Sequence, residues 1–184
     1  YFLEEIVNES IRTLGVLSNA HNHDLTIWLG IPGERRNWLT QLEGIPSILK
    51  NIAKYFPKIK VYVDGMTAYD GEKIEVANNL KAFTAIKAEV DKLNLDIDME
   101  SLSGYDYRSK ICYCSTCDIA ISDLGTTALT PFLFCKKPGV AFYQEACFFK
   151  DGLKYQKNIK SLYVLNKEFL ITTNVRSLLS KDFH

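Results

Sequence analysis

A chain of 184 residues with 47% apolar and 24% charged side chains is long enough for one domain with a real core, which excludes a disordered chain. Its 22 basic and 22 acidic residues balance to a formal charge of zero. No bulk pull on nucleic acid or on an anionic membrane is therefore expected, although a local basic loop can still grip a phosphate.

The opening stretch YFLEEIVNESIRTLGVL carries acids on an amphipathic helix pattern, unlike a signal peptide, and no apolar run approaches the roughly 20 residues of a membrane span. Residues 1–24 are read as a helix and linker. The helix is already under way at Tyr1, so an upstream domain is expected to precede it. Residues 25–184 are read as the domain proper.

From residue 25 short apolar runs alternate with helical patterns. Residues 25–29 (LTIWL) predict a strand that leaves through a Gly/Pro loop, GIPGERRNW. Apolar residues at Ile45, Ile48, Leu49, Ile52, Ala53 and Phe56 predict a helix over 45–56, which Pro57 stops. Residues 59–63 (IKVYV) predict a second strand, punctuated by Asp64-Gly65. A long helix is predicted over 72–93, on a stripe of Ile74, Ala77, Leu80, Phe83, Ile86 and Val90.

A weaker strand follows over 97–102 and a short helix over 106–116. Residues 118–122 (DIAIS) predict a fourth strand, DLGTT a loop, and residues 127–135 a helix. Strands over 138–143 and 161–165, a basic aromatic connection over 148–160 and a helix over 174–180 complete the chain. Strands separated by helices need crossover connections, so the predicted class is α/β: a Rossmann-like three-layer domain with a mostly parallel sheet of about six strands.

Ligands of open α/β sheets bind outside the carboxyl ends of the strands, where the strand order reverses. The segment Asp123-Leu124-Gly125-Thr126-Thr127 follows a strand and opens a predicted helix, whose free N–H groups suit a diphosphate. A plain helix cap by Thr126 or Thr127 explains the same residues. The loop after the first strand holds Gly30 and Gly33 for a tight turn, then Arg35 and Arg36, whose planar forks match phosphate oxygens. A solvated charged turn is the alternative. Neither loop is a Walker loop or a dinucleotide fingerprint. Together they outline a diphosphate site of Gly30, Gly33, Arg35, Arg36, Gly125, Thr126 and Thr127. Asp64, Gly65, Leu102, Ser103 and Asp123, at the ends of the other strands, are candidates for contacts to a base or sugar.

The five cysteines are Cys112, Cys114, Cys117, Cys135 and Cys147. They are odd in number and mostly within apolar segments, which points to a reduced cytoplasmic protein. Cys112, Cys114 and Cys117 lack a fourth ligand and read as core residues rather than a zinc knuckle. Asp96, Asp98 and Glu100 alternate along a strand as edge charges, and no catalytic base is visible.

The run CDIAISDLGTTALTPFLFCKKPGVAFY, with the Gly/Arg loop over 30–38, is similar to the C-terminal, donor-binding half of GT-B glycosyltransferases. Within these it resembles the heptosyltransferase-like group and related surface-polysaccharide transferases. The matching pieces are residues 122–127 and the Lys-Pro-Gly-Val turn over 137–140. The resemblance covers about residues 25–145. It departs from the heptosyltransferases in having no His over 128–130, and from many other GT-B enzymes in having Pro131 and Phe132 where a ribose-binding Glu stands.

The resemblance implies a nucleotide-diphosphate sugar as partner and a glycan or lipid-linked acceptor bound through an N-terminal domain. It implies no cofactor and no essential metal, a cytoplasmic location at or away from the inner membrane face, and no nucleic-acid partner. A sugar-nucleotide epimerase of similar layout and a non-catalytic α/β binding domain are the competing functions.

Overall fold

The run LTIWLG joins β-branched, aromatic and aliphatic residues, and all six are buried, as in a strand covered on both faces. A computed structural model of the chain describes residues 2–14, 22–31, 38, 40–142, 159 and 161–165. In it this run is β1 (Leu25–Gly30), followed by β2 (Lys58–Asp64), β3 (Asp96–Ser101), β4 (Ile119–Asp123), β5 (Gly139–Phe142) and β6 (Leu162–Val164). All five pairings are parallel, and the strand order is β3-β2-β1-β4-β5-β6. The order runs outward from β1 in one direction and from β4 in the other, so it reverses between these two central strands.

Alternation along the strands divides the core in two. Leu25, Ile27 and Leu29 of β1 face one layer with Ile59, Val61 and Val63, covered by α2 (Gln41–Ile52) and α3 (Ala77–Asp91). Trp28 and Tyr62 face the other with Leu102, Cys114, Cys117 and Phe132. That side is covered by α1 (Phe2–Leu14), α4 (Tyr107–Ser115) and the segment after β4. The three-layer parallel architecture is the one expected.

Two elements differ from expectation. The helix predicted from residue 72 begins at Ala77, and in the segment before it the Ile74 N–H donates to the carbonyl of Gly104 at 2.9 Å, tying that segment to the loop after β3. The helix predicted over 127–135 is a single 3-10 turn, Thr126–Ala128, running into a π-helix, Leu129–Phe134. Pro131 sits inside it. Its ring crowds the carbonyl four residues back and it has no N–H to donate, so the α-ladder gives way to wider turns. The Cys135 N–H accordingly reaches Thr130 O at 3.0 Å, five residues back. The helix predicted over 174–180 and, Ile159 apart, the connection predicted over 148–160 lie outside the described residues.

Asp98 and Glu100 flank Lys60 of the neighbouring strand at 2.6 and 2.9 Å, as charges on an edge strand do. Gly139, in the Lys-Pro-Gly-Val turn, has φ +152°, and a Cβ there would stand 1.8 Å from the carbonyl oxygen of Ala120. Only glycine lets β5 enter the sheet at that angle. Cys112, Cys114 and Cys117 are buried and none is in a disulfide, the last two lying in the second core. Burial pushes the Cys114 thiol well up, with hydrogen bonding to the Cys117 and Cys135 thiols adding to it.

Candidate functional site at the carboxyl edge

Because every strand is parallel, the ends of β1, β2, β3 and β4 share one edge, and the loops expected to bind a ligand leave from it. Register places Gly30 beside Asp64. A Cβ on Gly30 would meet Ser122 Oγ at 2.2 Å. Asp64, Gly30 and Ser122 thus form a row on the face that α4 covers, across β2, β1 and β4.

At the β4 end of the row, the fully buried Ser122 hydroxyl lies 3.1 Å from Thr127 Oγ1, whose own hydroxyl donates to the Asp123 carboxylate. Thr127 and Asp123 therefore brace the turn from within, as a cap would. Thr126 is the exposed hydroxyl of the pair, beside a half-buried Gly125. The 3-10 turn is short, so its dipole is a small fraction of that of an α-helix.

At the β2 end stands a residue that the sequence reading missed. Lys110 of α4 is completely buried. Its Nζ donates to Asp64 Oδ1 at 2.6 Å, to the carbonyls of Gly65 at 2.8 Å and Met66 at 3.1 Å, and to Thr67 Oγ1 at 2.9 Å. Desolvation raises the Asp64 carboxyl's pKa above the usual carboxylate range, against the opposing pull of Lys110. The Tyr107 hydroxyl is raised by burial and by the charge of Asp64. A signal for Lys110 is present in the sequence. It stands one helical turn before Cys114, whose side chain is buried too, and so shares the inward face of α4.

Asp106 caps α4, its carboxylate accepting from the Ser109 N–H at 2.7 Å and the Gly71 N–H at 2.9 Å. Arg108 pairs with Asp70 at 2.9 Å and with Glu9 of α1 at 3.3 Å. Backbone bonds from Gly104 N–H to Met66 O and from Ala68 N–H to Tyr105 O tie the loops after β2 and β3 together.

The expected site residues therefore divide. Gly30, Asp64, Gly65, Ser103, Asp123, Gly125, Thr126 and Thr127 all lie at the carboxyl edge. Gly65 packs under Ser103 and the Asn79 amide, 2.6–2.9 Å from where its Cβ would be. Leu102 is corrected: its side chain has no exposed surface and fills the second core, so it offers a ligand no wall. Gly33, Arg35 and Arg36 lie outside the described residues. Among the described residues no cluster of His, Cys, Asp or Glu is arranged to hold a metal ion, and no helix is long and apolar enough to cross a membrane.

No protein-family model and no curated protein matches the chain. Among solved structures, a glycosyl transferase family 9 protein from Veillonella parvula matches 100% of this chain at a TM-score of 0.50 and 13% identity. At that identity the likeness is one of fold. The chain spans 46% of that protein's length. A second structure, eIF2B beta from Chaetomium thermophilum, matches 90% of this chain and 44% of its own at TM-score 0.42 and 8% identity.

Proposed function

We propose that the chain is the donor-binding half of a metal-independent glycosyltransferase, holding a nucleotide-diphosphate sugar for transfer to a glycan or lipid-linked acceptor. The observation behind this reading is the reversal of strand order between β1 and β4. The two loops with phosphate-binding chemistry leave from the carboxyl ends of those same two strands, where open α/β sheets bind ligands.

In this reading the backbone N–H groups of residues 125–127 and the exposed Thr126 hydroxyl take one side of the diphosphate, and Arg35 with Arg36 takes the other. A 3-10 turn offers little dipole, so the arginines supply most of the charge compensation as the diphosphate departs. The acceptor and the catalytic base belong to another part of the protein. The half-length match to a longer enzyme supports that division.

Calorimetric titration of the full-length protein with UDP, ADP, GDP and CDP tests the proposal. A charge-assisted hydrogen bond contributes about 1.5–3 kcal/mol, so Arg35→Ala is expected to weaken binding by about tenfold or more. Thr126→Ala should cost less, because the backbone donors survive. Binding of none of the four, or unchanged affinity in Arg35→Ala, would end the donor assignment.

A further inference from the structure

The Lys110 ammonium makes more bonds than an ion pair requires. One goes to Asp64, and the other three go to consecutive residues of the turn that leaves β2: Gly65, Met66 and Thr67. A buried lysine needs about three acceptors for its three protons. Here all of them come from one turn at the carboxyl edge. The Lys110–Asp64 pair is nearly inaccessible, with side-chain exposures of 0% and 3%. Asp64 ends the strand next to β1, in register with Gly30.

Replacing such a pair with apolar groups is often neutral for stability, so stability alone gives no reason for its form. Two of the turn's carbonyls point inward at Nζ, which adds to the backbone bonds from Gly104 to Met66 and from Ala68 to Tyr105 in holding the turn's shape. A ligand meeting a preformed turn avoids the ordering cost of a mobile one.

We propose that Lys110 is a positioning residue for the nucleoside diphosphate, setting the shape of residues 64–67 so that a side chain that never touches the ligand controls its affinity. The inference rests on the donor-binding reading above, and it adds a residue on α4 to a site otherwise made of strand ends. Asp106, which caps this helix, and Arg108 in its first turn hold Gly71 and Asp70 by side-chain bonds. One helix thus anchors the loop over residues 64–71 from its N-terminal end.

The test uses full-length protein carrying Lys110→Met with Asp64→Asn, which removes both buried charges together and avoids leaving Asp64 unpaired. Lys110→Met alone is the companion, expected to be much less stable. Three measurements are made: thermal unfolding, amide hydrogen exchange, and titration with UDP, ADP, GDP and CDP.

The double variant is expected to unfold within a few degrees of the wild type. Its amides over 65–67 should exchange about tenfold faster or more while those of α2 stay unchanged, and affinity for the bound diphosphate should fall by about tenfold. Wild-type affinity despite faster exchange would overturn the positioning role. Unchanged exchange over 65–67 would overturn it as well, whatever the affinity. If the wild type binds none of the four nucleotides, the donor reading falls, and the positioning of a nucleoside diphosphate falls with it. Faster exchange in the double variant would then identify Lys110 as an anchor of the turn alone.

Discussion

Gly30 ends β1 with its bare Cα against Ser122, whose hydroxyl would lie 2.2 Å and whose Cβ 2.9 Å from an added methyl. In the sequence this glycine reads as a turn residue serving a ligand. The structure adds a packing reason, because Ser122 is fully buried and braced by Thr127. Gly30→Ala is therefore expected to destabilise the fold by about 1–3 kcal/mol, the usual cost of overpacking a filled interior. Ser122→Ala in the same chain should recover part of that loss by removing the nearest atom. Denaturant titration of both variants checks this, and a Gly30→Ala protein as stable as the wild type would mean that β1 and β4 have room to spare. Contacts between residues so distant along the chain leave no local trace in a sequence, which is why the role of Ser122 was not legible. Lys110 was hidden for a different reason: a lysine in a polar-looking helix is ordinarily solvated, and only its register with Cys114 betrays it.

Strands were the most legible elements, because a parallel sheet covered on both faces demands compact apolar runs, and those runs stand apart from their Gly, Pro and Asp boundaries. Helix starts were less so. The apolar stripe reaches back to Ile74, but that residue belongs to a segment tied to the loop after β3 by its bond to the Gly104 carbonyl, a long-range contact that no helical period reports. Asp106 shows a start that local chemistry does fix. Its carboxylate caps α4 and also holds Gly71. Burial by itself would raise its pKa, but hydrogen bonds from Ser109 and Gly71 and the nearby Arg108 charge lower it overall. A lowered folded-state pKa means that the carboxylate's stabilising effect is full above the unfolded value, about 3.9 for aspartate, and is lost as pH falls through the lower folded one. Asp106→Ala is expected to cost about 0.5–2 kcal/mol near neutrality, as lost caps do. The gap between wild type and variant should close as the pH drops below about 4. Urea unfolding at a series of pH values measures it, and a gap independent of pH would show that the carboxylate charge contributes nothing.

For the molecule as a whole, the sheet is a partition. Ile86 of α3 belongs to the layer under β1's odd residues, whereas Ile111 of α4 lies on the opposite face with Lys110 and the cysteines. Both are essentially inaccessible, at 0% and 1% exposure. Stacked layers of secondary structure pack about 10 Å apart, so with the sheet between them the axes of the two helices lie about 20 Å apart and the two residues share no neighbour across it, the condition under which mutational effects add. Ile→Val in a filled core typically costs about 0.5–1.5 kcal/mol. Ile86→Val and Ile111→Val are each expected in that range, and the double variant should lose their sum to within about 0.5 kcal/mol. The same partition bears on the site: Lys110, Asp64, Gly30, Ser122 and Thr127 all sit on the Ile111 side. Ile111→Val, one residue from Lys110, is therefore expected to loosen the amides over 65–67 slightly, while Ile86→Val leaves them as they are. Hydrogen exchange on the two single variants separates the faces. Equal loosening of the 65–67 turn by both would mean that the sheet transmits strain from one layer to the other.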